Sequence, residues 1–149
     1  MLFREIIGQD PVKHKLVGLV HQNRLSHALL FLGPEGSGAL PLAISFAQFL
    51  VCEKRNAGKS SSSSNSLFEE PAQPNSSDLP MDSCGTCASC TKAGQLIHPD
   101  IHFSYPVIPK KSGDKPLSTD YIGEWREFIR EFPYGNVFDW LQFIGAENK

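Results

Sequence analysis

Residues 27–52 constrain the fold more than any other part of the chain. His27-Ala28-Leu29-Leu30-Phe31-Leu32 is a short, nearly continuous apolar run. Such a run fits a strand buried on both faces, as in a parallel sheet. Gly33-Pro34-Glu35-Gly36-Ser37-Gly38 follows at once. From Ala39 to Cys52, Leu42, Phe46, Phe49 and Leu50 recur at helical spacing, which predicts a helix. Pro41 is tolerable there because it falls in the first turn. An apolar strand, a glycine turn and a helix in immediate succession form the frame of a phosphate-binding loop, G-x-x-x-x-G-K-[ST].

Gly33 and Gly38 have that loop's spacing, but the chemistry is missing. The lysine that balances phosphate charge is replaced by Ala39, and the hydroxyl that holds magnesium by Leu40. Pro41 removes one more backbone donor. Glu35 puts a carboxylate where polyphosphate would repel it. Gly33, Pro34, Glu35, Gly36, Ser37, Gly38, Ala39 and Leu40 therefore read as a degenerate phosphate loop, and ATP is not expected to bind. A hydrolysing enzyme of this class also needs an acidic residue ending a second buried strand. No run of four apolar residues followed by Asp-Glu occurs, and the nearest candidate is Val137-Phe138-Asp139. No catalytic residue is assigned.

Cys84, Cys87 and Cys90 form C-x₂-C-x₂-C, and Cys52 is the remaining cysteine. Three thiolates so close can converge on one metal, and tetrahedral zinc needs a fourth ligand. Cys52 at the end of the predicted helix is the natural choice; His98 is the alternative. An iron–sulfur run would want a cysteine at position 94, which is glycine. With four protein ligands the zinc would be structural. In a reducing compartment, four cysteines point toward metal or catalysis rather than disulfides.

The remaining chain supplies little more sheet. Asp10-Pro11 predicts a helix start, with Asp10 as N-cap and Val12, Leu16, Leu19 and Val20 on one face. Residues 53–83, rich in Ser, Pro and Asn, bury too little apolar surface to offset their ordering entropy and read as a flexible insertion. Ile101, Phe103, Tyr105 and Val107 alternate with polar residues and predict a second strand, its far end demoted by Pro106. A helix is expected from Asp120 to Phe132 and a short one over 137–144. Two strands alone cannot bury a parallel sheet, so the chain is expected to be part of a longer protein or to be completed by neighbours. Trp125, Phe128, Phe132, Trp140 and Phe143 are candidates for core or contact.

Charge and targeting narrow the class further. The 149 residues carry a net charge of −2, with six Lys/Arg against four Asp/Glu in residues 1–55 and eight against twelve thereafter. No global field attracts nucleic acid. The first sixteen residues lack the apolar core of a signal peptide. No run approaches the ~18 apolar residues of a membrane span. The expected location is the cytoplasm.

With those motifs in place, the chain resembles the bacterial clamp-loader AAA+ subunits of DNA polymerase III, delta-prime and gamma/tau. The resembling residues are 3–16 (FREIIGQDPVKHKL), 25–38 (LSHALLFLGPEGSG), the helix ending in Cys52, 84–90 (CGTCASC) and 98–102 (HPDIH). The resemblance implies an incomplete α/β phosphate-loop AAA+ domain, a three-layer parallel sheet interrupted by a zinc module. Its parts would be 1–52 as the N-terminal portion, 53–83 as the insertion, 84–97 as the zinc module and 98–149 as the continuation, ending before the acidic strand. The missing lysine and hydroxyl favour delta-prime over the ATP-hydrolysing gamma/tau. The resemblance implies a non-hydrolysing member of the ring that loads the sliding clamp onto primed DNA. Its partners would be gamma/tau, delta, the clamp and, through the complex, DNA. An active gamma/tau-like ATPase and a zinc-dependent protein-interaction module are the alternatives.

Overall fold

In a computed structural model, residues 1–57, 81–110, 113 and 115–146 are described. The central part of the expected flexible insertion, 58–80, lies outside them. Its two ends carry structure: Glu53–Ala57 is a helix, and Ser83 is buried.

The described residues form helices joined by irregular segments. They are α1 (Asp10–His21), α2 (Ala39–Val51), α3 (Glu53–Ala57), α4 (Ala88–Gly94), α5 (Ile122–Glu131) and α6 (Val137–Phe143), with single 3₁₀ turns at Phe3–Glu5 and Ser118–Tyr121.

Helix α2 is the organising element. Leu42, Phe46 and Phe49 join Phe3, Leu16, Val17 and Val20 in one apolar cluster, while Ile44 points into another. A helix apolar on nearly all sides is a buried one. Its polar residues are satisfied accordingly: the Ser45 hydroxyl donates to the Pro41 carbonyl at 2.8 Å, and the Gln48 amide donates to the Ser83 hydroxyl at 3.2 Å. The helix ends at Val51, leaving Cys52 in extended backbone as C-cap.

The second cluster is aromatic. Tyr105 stacks on Trp125 at 4.3 Å between ring centroids, and Trp140 meets both rings edge-on. Phe128, Tyr121, Ile129 and Leu96 complete it. Trp125, Phe128 and Trp140 are thus core, as one of the two sequence readings had it, whereas Phe132 is 48% exposed. Offset and edge-to-face pairs of this kind add stabilisation beyond the area they bury.

The expected sheet is absent among the described residues. The run 28–32 has no regular secondary structure, and Leu30 and Leu32 are 86% and 87% exposed. Among the described residues, no backbone–backbone hydrogen bond engages residues 25–33. Strand character requires a neighbouring strand to take up N–H and C=O groups, and none lies alongside among the described residues. His27, expected to pack, is exposed. The segment 101–107 keeps its predicted alternation: Tyr105 is buried and Ile101, Phe103 and Val107 are half-buried, while His102, Ser104 and Pro106 are exposed. Its inward side chains meet helices α5 and α6 instead of a second sheet layer.

Two helix starts also differ from expectation. The N-cap of α1 is Gln9, in left-handed backbone with φ 61°, so Asp10 is the first helical residue and Pro11 the second. Val12, expected inward, is 39% exposed. The helix expected from Asp120 begins at Ile122, after the 3₁₀ turn.

Candidate metal centre and glycine loop

The four cysteines, distant in sequence, meet in space. The Sγ atoms of Cys52, Cys84, Cys87 and Cys90 lie within 4.8 Å of one another. Cys84 Sγ and Cys90 Sγ are 3.8 Å apart. Four sulfurs around one zinc at ~2.3 Å would be separated by about 3.8 Å, so modest contraction brings the set to bonding geometry. His98 stands outside: its Nδ1 accepts the Asp100 N–H at 3.1 Å.

Local backbone builds the cluster. Cys87 is the N-cap of α4, and its sulfur accepts the Cys90 N–H at 3.4 Å. Cys84 Sγ accepts the Cys87 N–H at 3.3 Å and the Thr86 hydroxyl at 3.7 Å. Cys52 Sγ accepts the Cys84 N–H at 3.4 Å. Backbone N–H groups pointing at sulfur favour thiolate over thiol. Burial would raise the Cys84 thiol, but the N–H groups of Thr86 and Cys87 and the Thr86 hydroxyl outweigh it and bring the group to about 6. Burial, reinforced by the neighbouring thiols of Cys87, Cys52 and Cys84, pushes Cys90 up to about 12. Four sulfurs this close hold negative charge together only when a cation shares it. The donor set is soft and all-sulfur, and it fits a tetrahedral d¹⁰ ion such as zinc.

Several supporting residues carry no signature in the sequence. Glu53 accepts the Ser89 N–H at 3.0 Å and its hydroxyl at 2.7 Å, joining α3 to the first turn of α4. These bonds hold the Glu53 carboxyl below the usual range. The Lys54 ammonium donates to the Thr86 hydroxyl at 3.3 Å. On the other side, the Asp82 carboxylate accepts the N–H groups of Phe3, Arg4 and Ser83, tying the cysteine segment to the N-terminal turn. Glu53 directly follows Cys52, and Asp82 stands two residues before Cys84.

The glycine loop is a turn taken up by its own chain. Gly38 has φ +85°, in the region that favours glycine, and a Cβ there would lie 3.0 Å from the Tyr134 ring. The Tyr134 hydroxyl accepts the Ile7 N–H at 2.9 Å. The Asn136 amide donates to the Glu35 carboxylate at 3.1 Å. The turn at 133–136 therefore sits against the loop at two points. Between them lies a cavity of 480 Å³, walled by the loop, Tyr105, Trp125, Phe128 and Trp140. Leu40 packs against the aromatic cluster, and Ala39 begins α2 with no side-chain cap. Among the described residues, no side-chain cation lines the cavity.

Comparison with known proteins finds relatives over part of the chain. Residues 8–79 match the family described as DNA polymerase III, delta subunit. Subunit tau of DNA polymerase III from Bacillus subtilis (strain 168) is 37% identical over 51 residues, covering 34% of this chain and 9% of the relative. Subunit delta' from the same organism is 29% identical over 98 residues, covering 66% of this chain and 22% of the relative. No solved structure matches the chain. Over these residues the chain is similar to clamp-loader subunits of DNA polymerase III, at low identity. It spans about a fifth of the delta' relative and less of tau. No helix among the described residues is long and apolar enough to cross a membrane.

Proposed function

We propose that this chain acts in a non-hydrolysing, delta-prime-like subunit of the DNA polymerase III clamp loader. It would be a structural part of the cytoplasmic ring that loads the sliding clamp onto primed DNA. The observation that carries the reading is the loop at Gly33–Leu40. It keeps the glycines but has Ala39 and Leu40 where a lysine and a hydroxyl would serve phosphate and magnesium. Glu35 adds a negative charge at the same place. Without those groups the chain offers a surface to neighbouring subunits and no phosphoryl chemistry of its own. The partners under this reading are gamma/tau, delta and the clamp, with DNA reached through the assembly.

Zinc belongs to the same reading as a structural ion held by Cys52, Cys84, Cys87 and Cys90. It would tie the end of α2 to α4 without an open coordination position. What the chain itself supplies is the N–H groups of Cys84, Cys87 and Cys90 on sulfur, which favour the ionised ligands. Metal analysis of the purified full-length protein is expected to find about one zinc per chain; none would remove the ion from the account.

A gamma/tau-like ATPase is the second reading, favoured by the higher identity to tau over its 51 matched residues. Steady-state ATP turnover in the presence of clamp and primed DNA separates the two. The proposed reading expects none from this subunit assayed without gamma/tau. Turnover stimulated by clamp and DNA would establish the ATPase instead.

A further inference from the structure

Of the four cysteine ligands, Cys52 is the one the chain finds hardest to place. Cys84, Cys87 and Cys90 lie within seven residues and organise one another through N–H···S bonds. Cys52 stands 32 residues before Cys84, and closing so long a loop costs entropy that a metal must otherwise offset. The next residue, Glu53, reaches across to α4. Its Oε1 accepts both the N–H and the hydroxyl of Ser89, at 3.0 and 2.7 Å. Ser89 is the second residue of α4, between Cys87, the N-cap, and Cys90. The N–H that Glu53 takes is one that a helix start leaves without a partner inside the helix. A carboxylate there also lies at the positive end of the helix. One side chain thus joins the residue after the remote ligand to the turn that carries two of the others.

We propose that Glu53 is a positioning residue of the metal centre, holding Cys52 against the three clustered cysteines before the ion arrives; this rests on the metal reading above. Glu53 touches no ligand sulfur. It acts by anchoring the backbone beside Cys52 to the first turn of α4. Such outer contacts commonly change metal affinity by about ten- to a hundredfold. Glu53 is exposed, and water competes for its hydrogen bonds, so the effect belongs at the low end, about tenfold.

The test is a double-mutant cycle on the full chain, read as zinc affinity by chelator competition. Glu53→Ala is expected to weaken zinc binding about tenfold. Glu53→Gln keeps a carbonyl acceptor for Ser89 and is expected to recover most of the loss. In a Cys52→Ser background, Glu53→Ala should cost nothing further, because the leg it positions is already gone. A merely structural role would lower affinity equally in both backgrounds, and that result would overturn the proposal. So would unchanged affinity in Glu53→Ala. If that variant fails to fold, Ser89→Ala removes only the hydroxyl donor. A few-fold weakening, abolished by Cys52→Ser, then supports the proposal, and no weakening refutes it. Zinc missing from the unsubstituted protein would overturn the metal reading itself, an outcome visible before any variant is made.

Discussion

The indole N–H of Trp140 donates to the carbonyl of Pro106 at 2.7 Å. This bond joins α6 to the extended segment that was expected to be a strand, and Trp140 is among the most fully buried side chains. Its ring lies against Tyr105, Trp125 and Phe128. Trp140→Ala is expected to cost about 3–5 kcal/mol through the lost aromatic volume. Trp140→Phe keeps most of the ring but not the donor, and should cost about 1 kcal/mol for the hydrogen bond, with some loss of packing added. Denaturant unfolding of the two variants measures the difference. Equal losses would mean that the hydrogen bond, not the packing, dominates.

Asp82 ties the N-terminal turn to the cysteine segment. Its carboxylate takes the N–H groups of Phe3 and Arg4 from the N-terminal 3₁₀ turn and of Ser83 from its own segment. Asp82→Ala is expected to destabilise by about 1–2 kcal/mol, since hydrogen bonds to a charged group exceed neutral ones. Asp82→Asn keeps one acceptor oxygen and should lose about half as much. Amide hydrogen exchange at Phe3 and Arg4 should rise in both variants, more in the first.

Tyr105 links stability to alkaline pH. Burial, and then the nearby charge of Glu124, raises its phenol above the ordinary tyrosine value. The neutral form is thus favoured in the folded state. The resulting stability is fully present below the unfolded-state pKa and is lost as pH rises through the folded one. Stability of the unsubstituted protein should therefore fall with rising pH across the tyrosine range more steeply than that of Tyr105→Phe. Parallel profiles for the two proteins would contradict this.

How much of this was legible beforehand follows from the range of the interactions. Helix α2 was readable because Leu42, Phe46 and Phe49 carry their period locally. The cysteine cluster was readable because C-x₂-C-x₂-C is itself local and one cysteine remained to complete it. The segment 101–107 was half legible: which side chains face inward follows from alternation, but what they face does not. The run 28–32 misled because an apolar stretch states only that burial is favourable. Whether a partner lies beside it depends on residues far away, and none of those described does. Gln9 was missed as the α1 cap because its left-handed backbone, following Gly8 at φ 64°, is a property of the turn and not of a capping side chain. The joins made by Glu53, Asp82 and Tyr134 cross from 36 to 127 residues of sequence. No window reading contains such pairs.

The proposed function rests on the loop from Gly33 to Leu40, which has Ala39 and Leu40 where an ammonium and a hydroxyl would serve phosphate and magnesium, and which under that proposal would serve as architecture. Isothermal calorimetry of the full-length protein with ATP and magnesium tests this most directly. The account predicts no saturable heat. Restoring Ala39→Lys and Leu40→Thr together should produce weak binding at most, because Glu35 and the turn at 133–136 remain against the loop. Saturable binding of ATP by the unsubstituted protein, with a dissociation constant on the order of micromolar, would contradict it.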